Sequence, residues 1–156
     1  MRNGIAAGPL PSDLDLPYGH EITQACAVPP SFSPLLAYAI KVNESGENDP
    51  PDVQSGDGGH GLFQLTSSYP DDWADPYANA LYAVQYFLAP AETYWADTMG
   101  LQGTDLVRAI AAEFNAGRGG AMQGHEEGDV DKFTTNHYAA RALAHYEALV
   151  AGQAPW

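Results

Sequence analysis

Apolar residues recur at helical spacing in short segments along this chain, and glycine and proline separate those segments. This pattern limits the fold more than any single residue, because a helix with one apolar stripe must bury it against another element. Helical periodicity begins after Pro34, and proline suits a first-turn position. Over Leu35–Glu44 the residues Leu36, Ile40 and Glu44 stand four apart on one face, and Gly46 offers a stop. Leu81, Val84 and Leu88 repeat the spacing over Ala78–Leu88, and Pro90 is expected to kink or divide the segment running on to Met99. Thr104 stands where it could cap a helix over Asp105–Ala116, closed by Gly117-Arg118-Gly119-Gly120. A last helix is expected from about Lys132 to Val150, with Tyr138, Leu143, Tyr146 and Leu149 among its larger side chains.

The segments between these helices are loops by composition. Asn48–Gly61 holds Pro50-Pro51, Gly56, Gly58, Gly59 and Gly61 with Asp52 and Asp57 among them, and Gly124–Val130 is a second polar loop. Gly61–Ser67 suits a strand or a short helix, and Pro70–Pro76 reads as a turn holding Trp73. The 156 residues make one domain, mainly α, with at most a small β element. Residues 1–33, rich in proline and small side chains, read as an N-terminal arm packed on a domain of residues 34–156, with a short helix over Tyr18–Ala27. The first eleven residues carry no continuous apolar stretch, so no secretory signal peptide is read there.

Composition excludes several classes. No run of 18 apolar residues exists, so membrane insertion is not expected. The lone Cys26 rules out an intramolecular disulfide and a multi-cysteine metal site, and it reads as a small buried hydrophobe. Twenty acidic residues against six Lys and Arg give a net charge of −14. Nucleic acid, which needs clustered cations, is therefore not a partner. An anionic surface gains no long-range attraction either, so any binding to one must come from short-range contacts that added salt helps. The same balance also suits a saline habitat.

Glu44 continues the apolar stripe of Leu36 and Ile40, so its carboxylate leaves the helix end toward the core or a cleft. Burial there raises a carboxyl pKa. A glycosidase needs such an acid, still protonated near neutral pH and able to protonate a leaving sugar oxygen. Four segments follow the same theme in order: Glu44-Ser45-Gly46, Gly61-Leu62-Phe63-Gln64, Ala112-Glu113-Phe114-Asn115-Ala116-Gly117 and Asn136-His137-Tyr138. They resemble the four short motifs of lytic transglycosylases and goose-type lysozymes, over roughly residues 34–150.

That resemblance implies a lysozyme-like fold with a substrate groove, and it implies roles. Glu44 matches the catalytic acid, and Ser45, which follows it as the motif asks, is a candidate substrate contact. Gln64 and Asn115 match amides that face the sugar groove, and Tyr138 the tyrosine that reaches toward the catalytic carboxylate, where it too is a candidate substrate contact. Amides can both donate to and accept from sugar hydroxyls and acetamido groups. Phe63 and Phe114 depart from the commoner Met and Tyr, so contact at Phe114 is expected to be mostly apolar. Glu113 stands where a small residue is usual and is expected to face solvent.

The segment Gly56-Asp57-Gly58-Gly59-His60-Gly61 resembles the goose-type loop, which makes Asp57 the candidate second carboxylate. Hydrolysis usually employs a second carboxylate, whereas transglycosylation makes do with one acid that later acts as base, and the sequence leaves both open. His60 is expected to be structural or to touch substrate, and no histidine has the ligand spacing of a metal site. No metal or other cofactor is expected.

The expected function is cleavage of the β-1,4 bond between N-acetylmuramic acid and N-acetylglucosamine in peptidoglycan glycan strands, by a monomer. The alternative is a non-catalytic glycan-binding or virion structural module that keeps the groove. A bacteriophage endolysin or virion-associated lysin, made in the host cytoplasm and acting in the periplasm or cell wall, fits this reading. An injected toxin also fits.

Overall fold

In the computed structural model, which describes residues 1–156, the helix carrying Glu44 is built much as its sequence suggests. It is α2, Pro34–Ser45, and it follows α1, Gly19–Ala27. The Ser33 hydroxyl accepts from the Leu36 N–H at 3.2 Å, and Pro34 fills a first-turn position. Gly46 ends the helix at φ 68°, a conformation that costs a residue with a Cβ. Every residue from Leu35 to Val42 is buried, so α2 is the central helix rather than a surface one.

Lys41 lies in that buried run with no exposed surface. Its Nζ donates to the carbonyls of Gly46 at 2.7 Å and Glu47 at 3.0 Å, satisfying acceptors just past the helix end. Its ammonium lies 5.6 Å from the ring centre of Tyr18 and 5.5 Å from that of Tyr38. Burial pushes its pKa down to about 8.

The next helical stretch does not divide at Pro90. α3, Pro76–Ala83, is capped by Asp75, whose carboxylate accepts from the Ala78 N–H at 2.8 Å. Its backbone continues through a π-turn at Val84–Leu88, the short α4, Ala89–Thr93, and a second π-turn at Tyr94–Thr98. The Ala89 N–H reaches back five residues to the Val84 carbonyl, and this wider register accommodates a proline that has no N–H to give.

α5, Gly103–Glu126, also differs from expectation. Gln102, not Thr104, occupies its N-cap and makes no side-chain cap. The helix breaks at Gly117 (φ 74°, ψ 165°) as its glycine suggests, but then resumes through Gly119-Gly120 to Glu126. Close packing explains why Gly124 is tolerated: a Cβ there would stand 2.6 Å from the Asp129 carbonyl oxygen. The last helix, α6, is Tyr138–Val150, starting six residues later than the periodicity suggests.

α6 packs on α2 and α5, and α1 on α3 and α2. Ile5, Ile22, Ala25, Cys26 and Phe32 from the first 33 residues join the same core of 35 buried residues. Arg2 pairs with buried Glu92 at 2.5 Å, and the Ala6 N–H donates to the Tyr146 hydroxyl at 2.7 Å. No helix is long and apolar enough to cross a membrane. Gly61–Ser67 is neither strand nor helix: it turns, with isolated bridges pairing His60 to Gln54 and Leu65.

Candidate active site

The C-terminal turn of α2 brings Glu44 to a cleft of about 390 Å³ that is lined also by Asp57, Gln64, Phe87, Phe114 and Asn115. Burial pushes the Glu44 carboxyl up to about 7 from its ordinary 4.5; a hydrogen bond from Tyr138 opposes this and the charge of Asp57 adds to it. The Tyr138 hydroxyl donates to Glu44 Oε1 at 2.5 Å. The phenol is itself buried, and burial together with the neighbouring carboxylate holds its pKa well above the usual tyrosine value, so it remains a donor.

Tyr138 reaches this position because α6 begins with it. Asn136 and His137 take left-handed backbone (φ 51° and 54°), a region that Asn and His enter more readily than bulkier residues. Asp131, buried, accepts from the N–H groups of Ala139 at 2.8 Å and Ala140 at 2.9 Å and also from the Thr134 hydroxyl. It thereby caps α6 from outside the helix; burial pushes its carboxyl up, but these bonds together outweigh that and hold it below the usual aspartate range. The Thr134 hydroxyl accepts from the Tyr138 N–H at 3.2 Å, and Asn43 Nδ2 donates to the Tyr138 carbonyl at 3.0 Å. The residue beside Glu44 thus ties α2 to the first residue of α6.

The opposite wall is a glycine-rich knot of chain. Ser55 N donates to the Gly59 carbonyl, Gly61 N to Val53, and His60 and Leu65 exchange backbone bonds. A Cβ at Gly59 would overlap the Gln64 and Ser55 side chains, and one at Gly61 would overlap buried Asn79. Asn79 pins this wall to α3, donating to the His60 carbonyl at 3.0 Å and accepting from the Phe63 N–H at 2.9 Å. Asp57 sits at the exposed rim, where the Ser55 hydroxyl and the Gly59 N–H hold its carboxyl below the usual range. Below about pH 7 it is therefore the ionised partner of a protonated Glu44.

Gln64 lines the cleft in left-handed backbone (φ 47°), while its amide nitrogen donates to the Gly61 carbonyl at 2.8 Å. Asn115 lies just before the Gly117 break, and its Oδ1 accepts from the Thr135 N–H at 2.8 Å. Phe114 meets Phe63 and Phe87 edge to face at 6.4 and 6.1 Å, giving the floor its apolar patch.

The expectations of Ser45 and Tyr138 as substrate contacts, and of Glu113 as solvent-facing, need correction. Ser45 does not face the cleft: it is buried, and its hydroxyl donates to the Lys41 carbonyl one helical turn back. His60, expected to be structural or to touch substrate, does not line the cleft: its ring stacks on Tyr69 at 3.9 Å and meets Trp73 edge-on at 5.0 Å. Tyr138 does reach the Glu44 carboxylate, but from behind it, buried, rather than at the cleft surface where a substrate would touch it. Glu113 is not simply a solvent-facing residue, since it accepts from the Trp95 indole N–H at 2.8 Å and pairs with Arg118 at 2.8 Å. Phe87, Asn43 and Asp131 were not singled out by sequence. Asp131 and Thr134 carry a capping signal, which the expected helix start at Lys132 concealed.

No group of three or more His, Cys, Asp or Glu side chains converges as a metal site. No family model matches this chain, and no curated protein shows significant similarity to it.

Proposed function

We propose that this chain cleaves the β-1,4 bond between N-acetylmuramic acid and N-acetylglucosamine in peptidoglycan, with Glu44 as general acid on a lysozyme-like domain. One observation carries the reading: a desolvated carboxyl with a pKa near 7 faces a cleft and is braced by a tyrosine hydroxyl. Such a group is neutral at the pH where a glycosidic oxygen must be protonated, and it sits where water competes least.

Tyr138 occupies Oε1, which leaves Oε2 to hold the proton and aim it at the bridging oxygen. Proton transfer breaks the bond to the leaving sugar and makes Glu44 an anion. The positive charge that develops on the remaining ring faces ionised Asp57 across the cleft. Glu44 then takes a proton back, either from a water that attacks the ring or from the sugar's own 6-hydroxyl as it closes an anhydro ring. Gln64 and Asn115 supply amides for acetamido and hydroxyl groups, and Phe114 and Phe87 an apolar bed for a ring face.

The test is digestion of purified cell walls. Wild type clears a wall suspension and Glu44→Gln does not; more than a few per cent of activity in that variant refutes the assignment. Mass spectra of the released glycans separate the two endings, because anhydro ends are lighter than hydrolysed ends by one water.

A further inference from the structure

A second concavity, of about 560 Å³, lies on the outer side of α3 and the π-turn after it, lined by Pro70, Asp72, Asp75, Tyr77, Tyr82 and Tyr86. The Tyr82 and Tyr86 rings lie 4.4 Å apart and tilted by 33°. Tyr86 is 66% exposed and Tyr77 36% exposed. Tyr82 is half-buried against the core, while the exposed rings of Tyr77 and Tyr86 extend it into an open aromatic patch of the kind that marks a contact site.

We propose that this hollow is a second glycan-binding surface, on which N-acetylated sugar rings of a strand leaving the Glu44 cleft stack against Tyr77, Tyr82 and Tyr86. The inference rests on the glycan reading of the cleft. The two hollows are continuous in the chain on both sides. Phe87 lines the cleft, follows Tyr86 directly and has its ring 6.3 Å from that of Tyr82. Thr66 and Ser67 line the cleft, and Pro70, three residues on, lines the outer hollow.

Size and charge favour the same occupant. At about 390 Å³ the cleft is near the lower end of ligand pockets, roughly 300–1,000 Å³, so a polymer must run beyond it. No Lys or Arg lines the outer hollow, so it offers nothing to an anion. Its polar groups are phenol hydroxyls, the exposed carboxylates of Asp72 and Asp75, the latter also capping α3, and Gln85, whose amide nitrogen is held by the Val28 carbonyl at 3.2 Å and whose oxygen is left to accept. Ring faces flanked by hydroxyl, amide and carboxylate groups match a neutral hydroxylated ring, which presents C–H bonds on its face and O–H donors at its edge.

The experiment measures co-sedimentation with purified peptidoglycan sacculi, at low and high salt, for three full-length proteins that all carry Glu44→Gln so that nothing is cut. They are the parent, the parent with Tyr77→Ala and Tyr86→Ala, and the parent with Tyr77→Trp and Tyr86→Trp. Because both tyrosines are exposed, melting curves of the three are expected to coincide. The alanine pair is expected to bind roughly tenfold more weakly, the scale of two lost stacking contacts, and the tryptophan pair at least as tightly as the parent. Equal binding by the alanine pair overturns the proposal, as does a parent that does not bind sacculi at all. Binding that high salt abolishes assigns the hollow to a cationic partner, and a lower molar mass of the alanine pair than of the parent in free solution without sacculi, by analytical ultracentrifugation, assigns it to a second copy of the chain; either result overturns the proposal. Clearing of walls by the Glu44 wild type is read separately. Failure to clear, with tyrosine-dependent binding intact, removes the cleavage reading and leaves this surface standing.

Discussion

Replacing Glu44 by Gln should make the protein more stable at pH 8 than the wild type, yet leave it nearly unchanged at pH 4.5. The carboxyl is protonated up to about pH 7 in the fold but only to about its ordinary 4.5 when unfolded. Between those values the folded state holds a proton that the unfolded chain has lost, so this group's contribution is fully present below pH 4.5 and falls away as pH rises through 7. A rise from 4.5 to about 7, at about 1.36 kcal/mol for each tenfold in proton affinity, amounts to roughly 3 kcal/mol as an upper bound. Gln has the same shape and never ionises, so it escapes that loss. It still accepts from Tyr138 through its amide oxygen. All other titrating groups are shared by the two proteins and cancel in the comparison. At roughly 2–4 °C for each kcal/mol in a chain of this size, the Tm advantage of Glu44→Gln should open by about 6–12 °C between pH 4.5 and pH 8. Paired thermal melts across that range measure it. A Tm difference that stays flat with pH refutes the claim that this carboxyl is desolvated, and the proposed acid role goes with it.

The other expected outcomes concern groups around that carboxyl. Tyr138→Phe removes a donor that favours the Glu44 anion, so the alkaline limb of the activity profile should move to higher pH while the maximal rate falls about tenfold, the worth of one hydrogen bond to a charged group; an unmoved limb refutes the coupling. Asp57→Asn removes a negative charge that raises the Glu44 pKa, so the same limb should move down. If Asp57 also orients the attacking water, the rate should fall roughly 10²-fold, whereas an enzyme that closes an anhydro ring should keep most of its rate. Asp131→Ala orphans the first N–H groups of α6 and should cost about 3 kcal/mol in urea unfolding. Because the Asp131 carboxyl lies below its ordinary range, the stability it contributes is lost only in acid, and the cost should be the same at pH 5 and pH 8.

Local pattern alone determined a good deal of this protein. Short-range signals act within a turn or two of chain, so Pro34, the Leu36–Ile40–Glu44 stripe and Gly46 identified α2 closely, and Tyr18–Ala27 nearly matched α1. The same stripe pointed Glu44 inward, the ordered motifs named Gln64, Phe114 and Asn115, and the glycine-rich loop named Asp57; all line one cleft. What the pattern could not decide were outcomes that depend on distant partners. Pro90 stays helical because π-turns on either side widen the register, and α5 resumes past Gly117 to Gly124, which packs closely against the backbone of Asp129 and Val130. Ser45 turned into the core, where the Lys41 carbonyl one turn back accepts its hydroxyl, and His60 was taken up by Tyr69 and Trp73 from a later loop. The high pKa of Glu44 belongs to the tertiary structure too. Desolvation is a property of everything packed around a group, and that packing came from α5, α6 and the glycine-rich wall, with contacts reaching across as many as 95 residues of chain.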